Sequence, residues 1–459
     1  MSASQQGATG KDGYEALHER VLADYRERTP RSRALHQRAR LSLAGGVSGN
    51  LRYFSPYPLY MQAASGCRTT DVDGNQYIDC FSANGPLLLG HNHPALLDAV
   101  DKVRELGALP LNPEIMVECA ELVQDTVPCA ERVRFLNTGT EAVMTAVRIA
   151  RAYTGKSGLV KFHGHYHGQD DQFLVGIDGS NALFSDGVAP HATGSIRLCR
   201  YLDLDALEAL FSSDQGIAAV IMDPAMHAGG LWGSDRSSLV ALRELTERFG
   251  VLLIFDEVIS GCRLAPGGAQ QYYGVTPDLV TMAKALAAGE KLALVAGKSQ
   301  IMSVVDPQAE EGTPRVFQSG TVNDGPAALA SACAALRQYR RLFSEGEYER
   351  LEQRTGAIGQ ALVAGFRQAG IPCQVNHLAS MLQIHLGGDQ LSFETTQQAD
   401  TRVLSLFYLA LINQGVLLSL PTANHIYFSF AHSDADFEFV RNTINHVFEL
   451  YGFASLSVA

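Results

Sequence analysis

"RVRFLNTGTEAVMTAVRIARAYTG", residues 132–155, opens as a short apolar-rich strand, turns through Asn137, Thr138, Gly139 and Thr140, and continues with apolar residues at helical spacing. A strand that passes through a glycine-containing turn directly into a helix is half of a βαβ unit. The start of that helix presents unpaired N–H groups and the positive end of the aligned peptide dipoles, which suits a phosphate. The same residues also fit a plainer role, with Thr138 or Thr140 doing no more than capping the helix.

Downstream, the apolar runs "GLVKF" (158–162), "AAVIMD" (218–223), "VLLIFDEV" (251–258) and "DLVTMAK" (278–284) alternate with helical stretches. Continuous apolar strands separated by helices predict an α/β fold with a mostly parallel central sheet covered by helices on both faces. Sites in such sheets gather at the C-terminal ends of the strands. Asn137, Asp223, Asp256 and Lys284 all stand at such ends.

On either side the pattern changes. Residues 1–12 are expected as an unstructured tail and 13–40 as an amphipathic helix interrupted at Pro30, an arm suited to covering a partner subunit. Residues 60–80 read as short alternating strands around an Asp73-Gly74 turn. From 336 onward a long helix (348–370), strand-like pieces and a final helix read as a smaller α+β domain. The expected division of the 459 residues is therefore 1–75 for the arm and part of the small domain, 76–335 for a large domain, and 336–459 for the C-terminal small domain.

Lys and Arg number 36 against 48 Asp and Glu, a net charge of −12 with no basic run, so nucleic acid and anionic membrane are not indicated and a small-molecule partner is. The eight cysteines are scattered without a C-x-x-C pair and read as reduced core residues. The polar N-terminus has no apolar leader segment and no stretch reaches bilayer length, so a cytoplasmic protein is expected.

Three chemistries compete for the strand-end residues. "VLLIFDEV" also fits a magnesium-binding strand of an ATPase, but that reading needs a G-x-x-x-x-G-K-[ST] loop. Both candidates fail, with Ala150 and Leu292 where the first glycine belongs. "HGHYHG" places His163, His165 and His167 two apart, a common face for a metal hydrolase if the segment is a strand, although Gly164 and Gly168 favour a turn and no metal is expected. Lys284 alone is a strand-end lysine reaching water. Its company decides otherwise: a phosphate-type turn, an acid at Asp256, an aromatic ring at Tyr166, and small residues after the lysine. A pyridoxal phosphate enzyme needs that set, with a lysine for the aldehyde, a carboxylate to keep the pyridine nitrogen protonated, a ring to stack on and an anion nest. A cofactor-free binding protein on the same fold is the remaining alternative.

At these motifs the chain resembles the class III (subgroup II) aminotransferases of fold-type I, from "LAGGVSGNLRYF" (43–54) to "FSFAHSDADF" (428–437). The resemblance implies pyridoxal 5′-phosphate as cofactor, small amine and oxo substrates, and a homodimer with shared active sites. It implies that "NTGTEA" supplies Gly139 and Thr140 to the phosphate with Thr138 beside them, and that "YHG" supplies the stacking ring of Tyr166. "FDEV" would supply the ring-nitrogen partner Asp256 with Val258 on the opposite face, and "MAK" the cofactor-linking Lys284. In "FQSGTVNDGP" it implies that Gly320 and Thr321 reach the phosphate of the neighbouring subunit. Arg52 in "GGVSGNLR" aligns with the stretch that holds a substrate carboxylate.

The departures fall on the substrate side. Asn84 stands where the family's aminomutase branch has tryptophan, Asn424 stands near an expected glutamate, Asp223-Pro224 replaces Glu-Pro, and the segment after "YHG" is shorter. The family's glycine triplet after the lysine is Ala287, Ala288 and Gly289, followed by Lys291 for proline. Cofactor positions kept beside altered substrate positions imply an aminotransferase of a specialised biosynthetic pathway. An intramolecular amino shift, racemisation and decarboxylation remain open as outcomes of the same chemistry.

Overall fold

Pro30 makes the first break in the chain. Helices Ala3–Arg28 and Pro30–Ala39 meet at Thr29, and the proline takes the first helical position, where its missing N–H is not needed. The computed structural model describes residues 3–189, 191–388, 391–397 and 399–456. Its backbone is helical from Ala3, so residues 3–12 extend the first helix instead of forming the expected tail; alanine, glutamine and lysine in this stretch are good helix formers. Residues 1 and 2 of that tail lie outside the described residues.

The chain divides into two units, one running from Pro94 to Tyr348 and the other assembled from the chain up to His93 and from Glu349 onward. In the second of these, β1 (Met61–Ser65), β2 (Arg68–Asp71) and β3 (Gln76–Asp79) form an antiparallel meander, with Gly74 at φ 90° in the Asp-Gly turn. β3 also pairs in parallel with Val416–Leu417, which ties residues 76–93 to the C-terminal part of the chain. A separate antiparallel sheet joins Cys373–Leu378, Met381–Leu386 and Ile426–Tyr427.

The continuous unit is built on seven strands: β4 (Arg132–Leu136), β5 (Gly158–Phe162), β6 (Ile196–Cys199), β7 (Ile217–Met222), β8 (Leu252–Glu257), β9 (Leu279–Met282) and β10 (Ala293–Gly297), in the order β4-β10-β9-β8-β7-β5-β6. β6, β5, β7, β8 and β9 are parallel, as the apolar runs predict, whereas β10 runs antiparallel to both β9 and β4. β6 and β10 are the strands that the sequence reading did not pick out. Every residue of β5, β7, β8, β9 and β10 is buried, which is why these strands carry no polar alternation.

Helix Gly139–Thr154 lays Val143, Val147 and Ile149 against this sheet in one core with Leu159, Ile221 and Ile254. It is closed by Gly155 in the left-handed conformation. The strands' alignment is fixed at the opposite end from the site by Asp278, one residue before β9. Its buried carboxylate accepts from Arg243 Nη1 at 2.8 Å, Lys298 Nζ at 2.6 Å and the backbone N–H of Leu253 in β8 at 2.8 Å. Burial alone would raise its pKa, but the Lys298 hydrogen bond and the Arg243 charge hold it below the usual value.

Removing that carboxylate leaves two cations and a strand N–H without their acceptor. Asp278→Ala is expected to cost about 3–5 kcal/mol, read as a lower denaturant midpoint. Because the folded pKa is depressed, the stabilisation is present above the unfolded value of about 4 and is lost as pH falls through the folded one, so the gap between variant and wild type closes in acid.

Candidate active site

Asp256 is the penultimate residue of β8 and pairs in register with Thr281 of β9, while Lys284 follows two residues after β9 ends. The two side chains therefore emerge at one C-terminal edge of adjacent parallel strands. A cavity of about 200 Å³ opens there, lined by Lys284, Asp256, Asp223, Tyr166, Gly139, Thr140 and Val258.

Lys284 begins a one-turn 3-10 helix, Lys284–Leu286, and sits at φ 48°, a left-handed conformation that costs a non-glycine residue about 1 kcal/mol or more. The turn is held by helix Pro326–Ser344, whose Tyr339 hydroxyl donates to the Ala285 carbonyl and Ser331 hydroxyl to the Ala287 carbonyl, each at 2.8 Å. Burial lowers the lysine pKa to about 8, against the raising effect of the Asp256 charge.

Asp256 is itself buried, and burial raises its pKa to about 7. Three neighbours hold it. The Val258 N–H and the Thr281 hydroxyl donate to Oδ1 at 3.1 and 3.3 Å, and His167 Nδ1 lies 2.7 Å from Oδ2. Burial keeps His167 well below an ordinary imidazole pKa, so it is neutral and its Nδ1 proton is the one donated. Asp223, just past β7, accepts the N–H groups of Ala225 and His227 at 2.9 and 2.8 Å, and burial with the nearby Asp256 charge raises its pKa to about 7. Its own N–H donates to His165 Nδ1 at 3.0 Å. His165 and His167 thus turn the same ring atom to partners on different strands, and among the described residues no group of three or more side chains could hold a metal ion.

The helix start divides its roles. Thr138 is exposed and outside the cavity lining; its hydroxyl accepts from the Glu141 N–H at 3.2 Å and the Glu141 carboxylate accepts from the Thr138 N–H at 2.9 Å, a reciprocal cap. Thr140 lines the cavity and its hydroxyl accepts from the Gln169 N–H at 3.2 Å, which leaves its own proton to donate. Two glycines keep this cradle open. A Cβ on Gly139 would lie 2.9 Å from Val258 Cγ2, and one on Gly168 would lie 2.6 Å from Thr140 Oγ1.

The other residues singled out in the sequence lie elsewhere. Gly320 and Thr321 are exposed and do not line the cavity, but their turn is tied to the end of β4 by a 2.6 Å bond from Asn137 Nδ2 to Asn323 Oδ1. Arg52 and Asn84 belong to the unit formed by the two ends of the chain. Arg52 is exposed in a short 3-10 turn, and the Asn84 side-chain oxygen lies 3.0 Å from His425 Nδ1 and accepts from the Tyr427 hydroxyl at 3.2 Å. Asn424 brackets the Ile384 backbone on both sides, a structural role. His167 and Thr281, which fix Asp256, were not anticipated in that role. A hydroxyl in the middle of the apolar strand "LVTM" was the available signal, since a buried hydroxyl needs a partner.

Comparison with known proteins fits this geometry. The family model for class-III aminotransferases matches residues 52–447. The chain belongs to the class-III aminotransferase family. It is 38% identical over 423 residues to a glutamate-1-semialdehyde 2,1-aminomutase of Methanopyrus kandleri, covering 90% of this chain and 96% of the relative. Among solved structures it is similar to an omega-transaminase from Sphaerobacter thermophilus, with 31% identity, a TM-score of 0.84, and coverage of 92% of this chain and 98% of that one. A transaminase solved with PLP bound gives 31% identity, a TM-score of 0.83 and the same coverages.

The cradle geometry has a direct test. Gly139→Ala keeps good helix propensity but forces Val258 to move, at a cost of about 1–3 kcal/mol. The expected result is an affinity for pyridoxal phosphate about ten-fold weaker or worse in an absorbance titration, beside an unfolding midpoint lowered by that cost.

Proposed function

We propose that the protein is a pyridoxal 5′-phosphate-dependent aminotransferase that moves an amino group between a small amine donor and an oxo-acid or aldehyde acceptor, in a specialised biosynthetic pathway. The observation that carries it is the convergence of Lys284, Asp256, Tyr166 and the start of helix Gly139–Thr154 on one cavity. The residues fit the cofactor: a cradle that a single Cβ would fill, a helix N-terminus with a free hydroxyl proton, and a buried carboxylate facing a buried amine. When bound, pyridoxal phosphate supplies an aldehyde for amines and an electron-poor ring that accepts the electron pair of a bond broken beside the nitrogen.

The chain's own groups do the rest. Gly139 and Thr140 would bind the phosphate, Tyr166 and Val258 would hold the ring, and the fixed Asp256 carboxylate would keep the ring nitrogen protonated. Lys284, with its pKa lowered to about 8, is suited to hold a proton and return it at the substrate carbon near neutral pH. Thr138 supports the helix start as its cap. Arg52 is the candidate clamp for a substrate carboxylate, which a guanidinium grips by two parallel hydrogen bonds, and Asn84 is a candidate substrate contact. Gly320 and Thr321 would serve the partner subunit's phosphate in a homodimer.

A second reading is favoured by the name of the Methanopyrus kandleri relative: an aminomutase that shifts an amino group within glutamate-1-semialdehyde. A transaminase leaves the cofactor in its amine form after one half-reaction, whereas an aminomutase returns an isomer with the amino group on carbon 1. Mixing the holoenzyme with a panel of amines, and separately with glutamate-1-semialdehyde, separates the two by absorbance and product analysis. An isomer formed without any added acceptor would overturn the aminotransferase reading.

Lys284→Ala is expected to keep the fold by circular dichroism and to lower kcat by about three orders of magnitude or more. Cofactor uptake should also depend on pH. The neutral amine is the reactive form, so with the Lys284 pKa lowered to about 8 the uptake rate of the cofactor-free protein rises with pH and levels off above it. Arg52→Gln is expected to raise KM for carboxylate substrates about ten-fold while leaving cofactor uptake unchanged.

A further inference from the structure

Lys161 is a buried cation to which the chemistry above gives no task. It lies in β5, fully buried, and its Nζ donates to the Val175 carbonyl at 2.7 Å. No carboxylate forms an ion pair with it among the described residues, and burial lowers its pKa to about 7 with Asp178 opposing. A charge in this position costs several kcal/mol that an apolar side chain of the same length would not.

A path of contacts leads from it to the site. Val175 belongs to the segment 171–176, stitched down by a 2.8 Å bond from the Gly164 N–H to the Gly176 carbonyl. In that segment the buried Phe173 meets the His167 ring edge-on, with centroids 5.9 Å apart and planes at 72°. His167 in turn holds Asp256 at 2.7 Å. Burial is the main reason that His165 and His167 resist protonation, and the Lys161 charge adds to it.

We propose that Lys161 is a positioning residue for Asp256: its ammonium pins the segment that braces His167 and adds a like charge to the burial that already makes His167 a neutral donor, so that the Nδ1 proton stays aimed at the Asp256 carboxylate. Were His167 protonated, its positive charge would neutralise that carboxylate from behind. The groups facing His167 are Asp256 from β8, which favours its protonation, Lys161 from β5, which opposes it, and His165, whose ring lies 5.6 Å away. Asp223 and Lys284 complete the surroundings of Asp256, and Asp178 those of Lys161. The value to the cofactor rests on the pyridoxal phosphate reading; the charge state of His167 does not.

The test uses Lys161→Met, which keeps the bulk and removes the charge, and Phe173→Leu, which removes the brace and keeps the charge. In the cofactor-free protein with isotope-labelled histidine, wild-type His167 is expected to stay neutral between about pH 6 and 8 by NMR. In Lys161→Met its titration should move up by about one pH unit or more. In the same variant the affinity for pyridoxal phosphate should be about ten-fold weaker than in wild type at about pH 6, with the gap narrowing toward about pH 8 as the wild-type ammonium loses its charge. Phe173→Leu should weaken affinity by a similar factor at every pH. An unshifted His167 in Lys161→Met overturns the proposal even if affinity falls uniformly. If that variant does not fold, undiminished affinity in Phe173→Leu overturns it. A wild-type protein that binds no pyridoxal phosphate would sink the functional reading while leaving the histidine titration to be judged alone.

Discussion

The site depends on a carboxylate held in a place that disfavours its charge. Asp256 is buried, and desolvation pushes its pKa upward, yet three donors from the strand next to it, from the residue two places on, and from the turn after β5 hold its oxygens in one orientation. A lysine just past the end of the neighbouring strand, made less basic by the same burial, completes a pair in which each group tempers the other. This arrangement is available only where parallel strands end together, so that residues far apart in sequence arrive side by side.

The sheet supplies that alignment. Asp278 anchors one end of β9 to β8 and to two cations, and the hydroxyls of Ser331 and Tyr339 hold the turn that begins at Lys284 beyond the other end. The backbone at Lys284 is left-handed, and neighbours that fix it on both sides keep it so. Small residues after the lysine matter for the same reason. Ala287 and Ala288 are buried, and Ala288 is itself left-handed at φ 47°, so a conformation that favours glycine is made here with a methyl group present.

Much of this was legible in the sequence because burial on both faces erases polar alternation. The runs containing β5, β7, β8 and β9 could be read as strands of a mostly parallel sheet, and the polar residues at their ends could be read as a site. β10 carries the same apolar signature and was open to the same reading, but its antiparallel course depends on what it pairs with, which no apolar run encodes. β6 escaped because it is an edge strand whose four residues include Arg197, so it lacks the signature of its neighbours. At the site, residue types sufficed to single out Lys284, Asp256, Tyr166, Gly139 and Thr140, which line one cavity, while His167 reads as a turn histidine whose partner the sequence does not name. Its bond to Asp256 joins positions 89 apart in the chain, and no local pattern encodes such a pairing. Thr138 shows the converse, a residue whose plain reading as a cap describes what its side chain does.

The way the two units share the chain bears on how it is made. The sheet-bearing unit is continuous and has all of its strands once Tyr348 has left the ribosome, whereas β3 must wait for Val416–Leu417 before its second edge is covered. Synthesis therefore offers the cavity's framework before residues 416–417 are made and can complete the pairing of the meander. Loss of residues 416–417 would strip the meander of its second edge and leave the seven-stranded sheet with every one of its strands.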